Sequence, residues 1–228
     1  MVQHRIRAFD PVRCVIVGGR LPEIAFQTVT GSITAETSYT FSSQPIGTAH
    51  TSRRVIVSVI YFNSAPSSAT CTIAGVSAAE VGGAAIRSSA GGSGNEFQMK
   101  MFIATVASGT TASIVVNTGP ALGCWIAVWS AYYLQSATAV DAEAYFATGT
   151  TNILDLNVSA DGVACGFGAM FNAVSWTGMT EDFEDVVAGF GHWRTAATYS
   201  AGAAESPRTV RINTNPGVNS TANAASFR

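Results

Sequence analysis

The sequence predicts an all-β chain: a two-sheet antiparallel β-sandwich, jelly-roll-like, behind an extended N-terminal arm. Three observations predict it. Short runs rich in β-branched and aromatic residues recur along the chain, turn-forming residues separate them at intervals of roughly eight to twelve residues, and no convincing helix of ten residues or more interrupts them. The 228 residues fit one sandwich domain, so residues 23–228 are expected to share a single fold, preceded by an arm of residues 1–22 that ends at Pro22.

The strongest run, 53–62 (RRVIVSVIYF), is apolar on both alternating faces and reads as a central strand. Residues 70–76 follow the turn cluster Ser64-Ala65-Pro66-Ser67-Ser68, with Gly75 closing the run, and the two segments are expected to pair as a hairpin. Residues 88–95 read as a loose glycine- and serine-rich loop. In 96–106 the alternation puts Phe97, Met99, Met101 and Ile103 on one side, and Ala107-Ser108-Gly109-Thr110 then turns the chain into 112–117, a second expected hairpin. Residues 124–134 (CWIAVWSAYYL) set Trp125, Ala127, Trp129, Ala131 and Tyr133 on one face and Ile126, Val128, Tyr132 and Leu134 on the other, again a central strand. Shorter runs follow at 140–148, 152–158, 162–171, 189–199, 208–214 and 222–227. No internal sequence repeat is visible.

Composition narrows the function. Hydrophobic residues make up 47% of the chain and charged residues 11%, against roughly 25% charged in an ordinary soluble domain. Ser, Thr, Asn, Gly and Ala must cover the surface, which suits a protein packed against other subunits, where contact faces are depleted in charge. An adhesive monomer is the other reading. The net charge of −2 hides an asymmetry: Arg5, Arg7, Arg13 and Arg20 crowd the arm, while Glu181, Asp182, Glu184 and Asp185 form an acidic run near the three-quarter point. Opposite charges at two places suit docking between neighbouring copies; two unrelated solvated segments would look the same. Four arginines with a single aromatic, Phe9, among them, in a chain of pI about 5.9, make no nucleic-acid surface. No secretory signal opens the sequence and no run reaches the length of a membrane span, so synthesis in a cytoplasm is expected. Cys14, Cys71, Cys124 and Cys165 lie apart among apolar neighbours and read as buried thiols, although spacing alone leaves a disulfide open.

Chemistry is sparse, and no cofactor is expected. His4, His50 and His192 have no zinc-type spacing, and there is no G-x-S-x-G elbow. Gly91-Gly92-Ser93-Gly94-Asn95 lacks the Lys-Ser/Thr of a phosphate cradle and reads as a loop. The 181–185 carboxylates could ligate calcium or act on glycosides, but without the ligand pattern of a calcium loop a solvated or interface-facing run is the simpler reading. Trp176 and Trp193 stand nearer loops than Trp125 and Trp129 and are the candidate ligand or interface aromatics, packing anchors being the alternative.

One order of segments runs through the chain: Tyr39-Thr40-Phe41 with Ile46-Gly47, then 53–57, Thr72-Ile73-Ala74-Gly75-Val76, the 106–109 turn before Ile114-Val115-Val116, the strand ending Tyr132-Tyr133-Leu134, and Trp176-Thr177-Gly178 with Thr180-Glu181-Asp182. This order resembles that of a group of uncharacterised bacteriophage virion proteins. The likeness spans about residues 35–200. It implies a β-sandwich of the virion exterior, of head-decoration, tail or fibre type, and no catalytic residues. The expected function is therefore a non-enzymatic capsid decoration or cement protein, present in repeated copies, docking on capsid subunits through the arm or low-charge faces. The alternative is a tail or fibre component that binds host-surface carbohydrate.

Overall fold

The computed structural model describes residues 19–63, 68–82, 86–89, 96–170, 175–187 and 192–228. All the regular structure among them is β. The first ten strands are β1 (Glu23–Ser32), β2 (Glu36–Pro45), β3 (Arg54–Asn63), β4 (Thr70–Ile73), β5 (Val76–Ser77), β6 (Ala79–Glu80), β7 (Ile86–Ser89), β8 (Glu96–Thr105), β9 (Thr111–Ala121) and β10 (Gly123–Tyr132). They build one antiparallel sheet in the order β1-β10-β3-β8-β6, with β7 also on β8, and a second in the order β2-β9-β4-β5. The chain crosses between the sheets at most turns, which closes β1-β10-β3-β8 and β2-β9-β4-β5 into the paired Greek keys of a jelly roll. Its core sets Tyr39, Phe41, Ile73, Ile114 and Val116 against Val55, Val57, Tyr61, Ile126 and Val128.

Six further strands follow: β11 (Asp141–Val158), β12 (Val163–Met170), β13 (Ser175–Thr177), β14 (Thr180–Val187), β15 (His192–Ser200) and β16 (Glu205–Phe227). Their sheet runs β11-β16-β12-β15-β14, with β13 on β16. Asp141 and Asn157 lie at opposite ends of β11, yet the Asn157 backbone N–H and side-chain amide donate to Asp141 Oδ2 at 2.8 and 2.7 Å. The β11/β16 ribbon therefore doubles back near its register break, where Gly149 pairs with Val218 but Thr151 with Asn213. Its second layer, closed by β13, covers a core of Leu154, Leu156, Trp176, Val210, Ile212 and Ala222.

This arrangement repeats the first roll. The order β11-β16-β12-β15 beneath β11-β16-β13 matches β1-β10-β3-β8 beneath β2-β9-β4, with each long strand serving where the first roll uses two. The turns after β4 and β13 match as well, through Gly75 (φ 78°) and Gly178 (φ 88°). The two rolls pack back to back. Ile56, Ile60, Met99, Trp125 and Trp129 of the first meet Val163, Cys165, Phe167, Ala225 and Phe227 of the second. Ser58 Oγ donates to Asn223 Oδ1 at 2.8 Å across this seam, and Thr221 Oγ1 lies 2.8 Å from Met99 Sδ.

The all-β antiparallel sandwich expected from the sequence is thus present, with a third sheet beyond the two expected. Both faces of 53–62 and 124–134 are apolar because their sheet is covered on both sides. Neither expected hairpin forms: β3 and β4 belong to different sheets, as do β8 and β9, because turn residues announce a reversal without naming the partner. Runs 140–148 and 152–158 are one strand, as are 208–214 and 222–227. Ser88 and Ser89 belong to β7, which pairs with β8, and not to a loop. Leu134 packs with Trp129, opposite to the expected alternation, because Tyr133 adopts φ 58° and breaks the pleat.

Candidate binding cleft

The acidic run lies on β14, the edge strand of its sheet, where charge blocks pairing with another chain. A bulge between Glu181 and Phe183 interrupts it. Asp185 forms a two-pronged ion pair with Arg194, which also lies over the Phe183 ring. Asp182 accepts from Thr198 Oγ1 at 3.1 Å. Burial raises the Asp182 and Glu181 carboxyls above their usual range, and the neighbouring Glu184 charge raises Glu181 further. Among the described residues no three His, Cys, Asp or Glu side chains group as metal ligands.

Trp176 is 8% exposed, donates Nε1–H to Thr195 Oγ1 at 2.7 Å, and sits in the second core, so it is a packing anchor and no ligand platform. Trp193 is half-buried against the same core. Arg5, Arg7 and Arg13, with His4 and Cys14, lie outside the described residues, as does the 91–95 glycine loop. Cys71, Cys124 and Cys165 are free and buried, and burial pushes the Cys71 thiol up to about 12 and raises those of Cys124 and Cys165 as well.

Arg20 leads instead to a feature that no single segment announces. At one end of the first roll, the start of β1, the end of β10 and the 47–50 turn enclose an open cleft of about 430 Å³, lined by Glu23, Gln27, His50, Ser130, Tyr132 and Tyr133. Tyr133, turned out of the sheet by its left-handed backbone, also lines an adjoining hollow of about 320 Å³ with Arg20, Pro22, Gln135 and Asp161. The Arg20 guanidinium lies 5.1 Å from the Tyr133 ring centroid and donates to its hydroxyl.

The walls are held by hydrogen bonds that the sequence did not reveal. Arg53 is wholly buried and donates to three turn carbonyls, Val106 at 2.7 Å, Gly47 at 2.6 Å and Ser108 at 2.7 Å. Gly47 has φ 76°, and a Cβ there would fall 2.6 Å from Ser130 Oγ and 2.7 Å from the Tyr132 hydroxyl, so only glycine fits. Tyr132 donates to the Thr48 carbonyl at 2.9 Å, and Gln27 Nε2 to Ser130 Oγ at 2.9 Å. The Ser52 backbone N–H donates to His50 Nδ1 at 3.0 Å, which in the neutral ring puts the proton on Nε2, 3.4 Å from the Tyr133 hydroxyl. The imidazole and both tyrosines form an edge-on cluster, His50 lying 5.1 Å from Tyr133 and 6.1 Å from Tyr132 between centroids. The result is a pre-formed site of aromatic rings and polar groups with one carboxylate, Glu23, at its edge, suited to holding a molecule.

Comparison with protein-family models, with curated proteins and with solved structures gives no significant match.

Proposed function

We propose that the chain is a non-enzymatic structural protein of a bacteriophage virion, a decoration or cement subunit on the outer shell of the capsid. The observation that carries this reading is an exterior poor in charge, 11% of residues overall, that leaves large apolar side chains in solvent. At the end of the first roll opposite the cleft, Ile33 (49% exposed) and Leu122 (40%) stand in solvent, Leu122 beside a hollow of about 220 Å³ lined also by Ala35, Glu36, Thr37, Pro120 and Ala121. Such exposed apolar side chains favour burial against a subunit. The strand-and-turn resemblance to virion β-sandwich proteins supports the same reading, and so does the stacking of sheets around shared cores. The basic arm and the acidic edge strand β14 supply complementary charge for contacts between neighbouring copies.

Immunogold electron microscopy of intact virions, with an antibody to this chain, tests the proposal alongside co-sedimentation of the purified protein with capsids. Gold spread over heads, with capsid binding weakened by Leu122→Asp, is the expected result. Gold confined to tails, or no association with particles, would overturn it.

A further inference from the structure

We infer that the cleft between β1, β10 and the 47–50 turn is a binding site for an oligosaccharide. Its volume of about 430 Å³ lies in the ~300–1,000 Å³ range of small-molecule sites, and the adjoining hollow beyond Tyr133 extends it for a ligand of more than one ring. A sugar ring presents C–H faces that pack on aromatic rings and a rim of hydroxyls that both donate and accept. The cleft offers the complement of each. Tyr132, Tyr133 and His50 supply rings, while the Gln27 side-chain oxygen, left over once its amide nitrogen donates to Ser130 and Ala25, and Glu23 both accept, and the exposed Thr48 hydroxyl can donate or accept.

Other ligand classes fit less well. In the cleft itself Glu23 would repel phosphate, with no Lys or Arg lining it, while Arg20 and Arg228 stand with Asp161 in the adjoining hollow, and the interspersed polar groups would be stranded beneath an apolar ligand. The site is built before a ligand arrives, since the Arg53, Gly47 and Tyr132 bonds fix the turn that forms one wall. Pre-formed walls lower the ordering cost of binding.

Screening the purified protein on a glycan array, then titrating the hits by calorimetry with lactose, cellotriose, chitotriose, maltotriose and sialyllactose as probes, tests the site. At least one saccharide should bind, and Gln27→Ala and Tyr132→Ala should each weaken it about tenfold or more, with melting temperature recorded to separate loss of binding from loss of fold. Tyr145→Ala, an exposed tyrosine on the second roll, should leave affinity unchanged. Absence of binding on the array and at millimolar probe, or binding indifferent to both cleft variants, overturns the inference. Neither result depends on where the chain sits in a particle, so this site and the decoration reading stand or fall separately.

Discussion

Replacing Arg53 with methionine tests whether a buried cation stitches the end of the first roll together. The side chain is wholly buried, its stem is conserved by methionine, and what disappears is three hydrogen bonds to the carbonyls of Gly47, Val106 and Ser108. A hydrogen bond from a charged donor contributes about 1.5–3 kcal/mol. The Val106 bond is fully buried and warrants about 2 kcal/mol, while the other two are partly buried, so water can replace part of each, and about 1 kcal/mol apiece is reasonable. The expected loss is about 4 kcal/mol, less whatever is recovered by no longer burying a charge. For a chain of this size each kcal/mol shifts the melting temperature by about 2–4 °C, so a fall of about 10 °C is expected by circular dichroism or calorimetry. Arg53→Lys, able to reach fewer of the three carbonyls, should fall between. Hydrogen exchange should also quicken at residues 47–50 and 106–108 before it does in β3. A methionine variant melting within about 2 °C of the parent, or lysine serving as well as arginine, would refute the reasoning.

Two further outcomes are expected. Burial holds the Asp182 carboxyl above its usual range, so the folded chain binds that proton more tightly than the unfolded chain. Ionisation then costs stability as pH rises from the ordinary aspartate value of about 3.9 through the raised folded value. Asp182→Asn should melt higher than the parent at neutral pH, with the advantage vanishing in acid; Glu181 and Glu143 shift the same way and leave the variant a residual slope. An equal melting temperature at all pH values would count against this. The buried thiols of Cys71, Cys124 and Cys165 should resist a thiol reagent in the native protein and react once it is denatured, so that labelling of any of the three under native conditions, read by peptide mass, contradicts their placement.

Much of the fold was legible because burial writes itself into alternation. The runs at 53–62 and 124–134 carried apolar residues on both faces, and their sheet is covered on both sides. Pairing was not legible, since in a jelly roll the partner of a strand comes from far along the chain: β1 pairs with β10 and β11 with β16. Strands β1, β2 and β14 escaped notice for a related reason. Each pairs on one side only, so each tolerates the polar and charged residues that blur a strand signal. The repeat of topology left no trace because the two cores keep only apolar character in common, Tyr39 and Phe41 filling one and alanines much of the other.

The candidate site was less readable still. Its aromatics Tyr132 and Tyr133 looked like the tail of a buried strand, and nothing in sequence signals the left-handed turn at Tyr133 that swings one of them outward. Its polar wall comes from β1 and from the 47–50 turn, which only the fold brings beside β10. Trp176 was conspicuous for the opposite reason: flanking turn residues suggested exposure, while Gly166 leaves just the room its indole fills.

In both rolls the opening strand lies beside the closing one, Glu23 opposite Tyr132 and Asp141 opposite Ser226. Entry and exit are neighbours, so either roll has the geometry of a cassette that recombination could lift out or exchange without leaving the chain a gap to bridge. What resists such an exchange is the seam, where Trp125, Trp129 and Met99 would meet water, or a mismatched surface, if the partner were lost. The protein is divisible along its chain and indivisible across its core, so an exchange of parts would succeed only where the incoming roll brings a matching back.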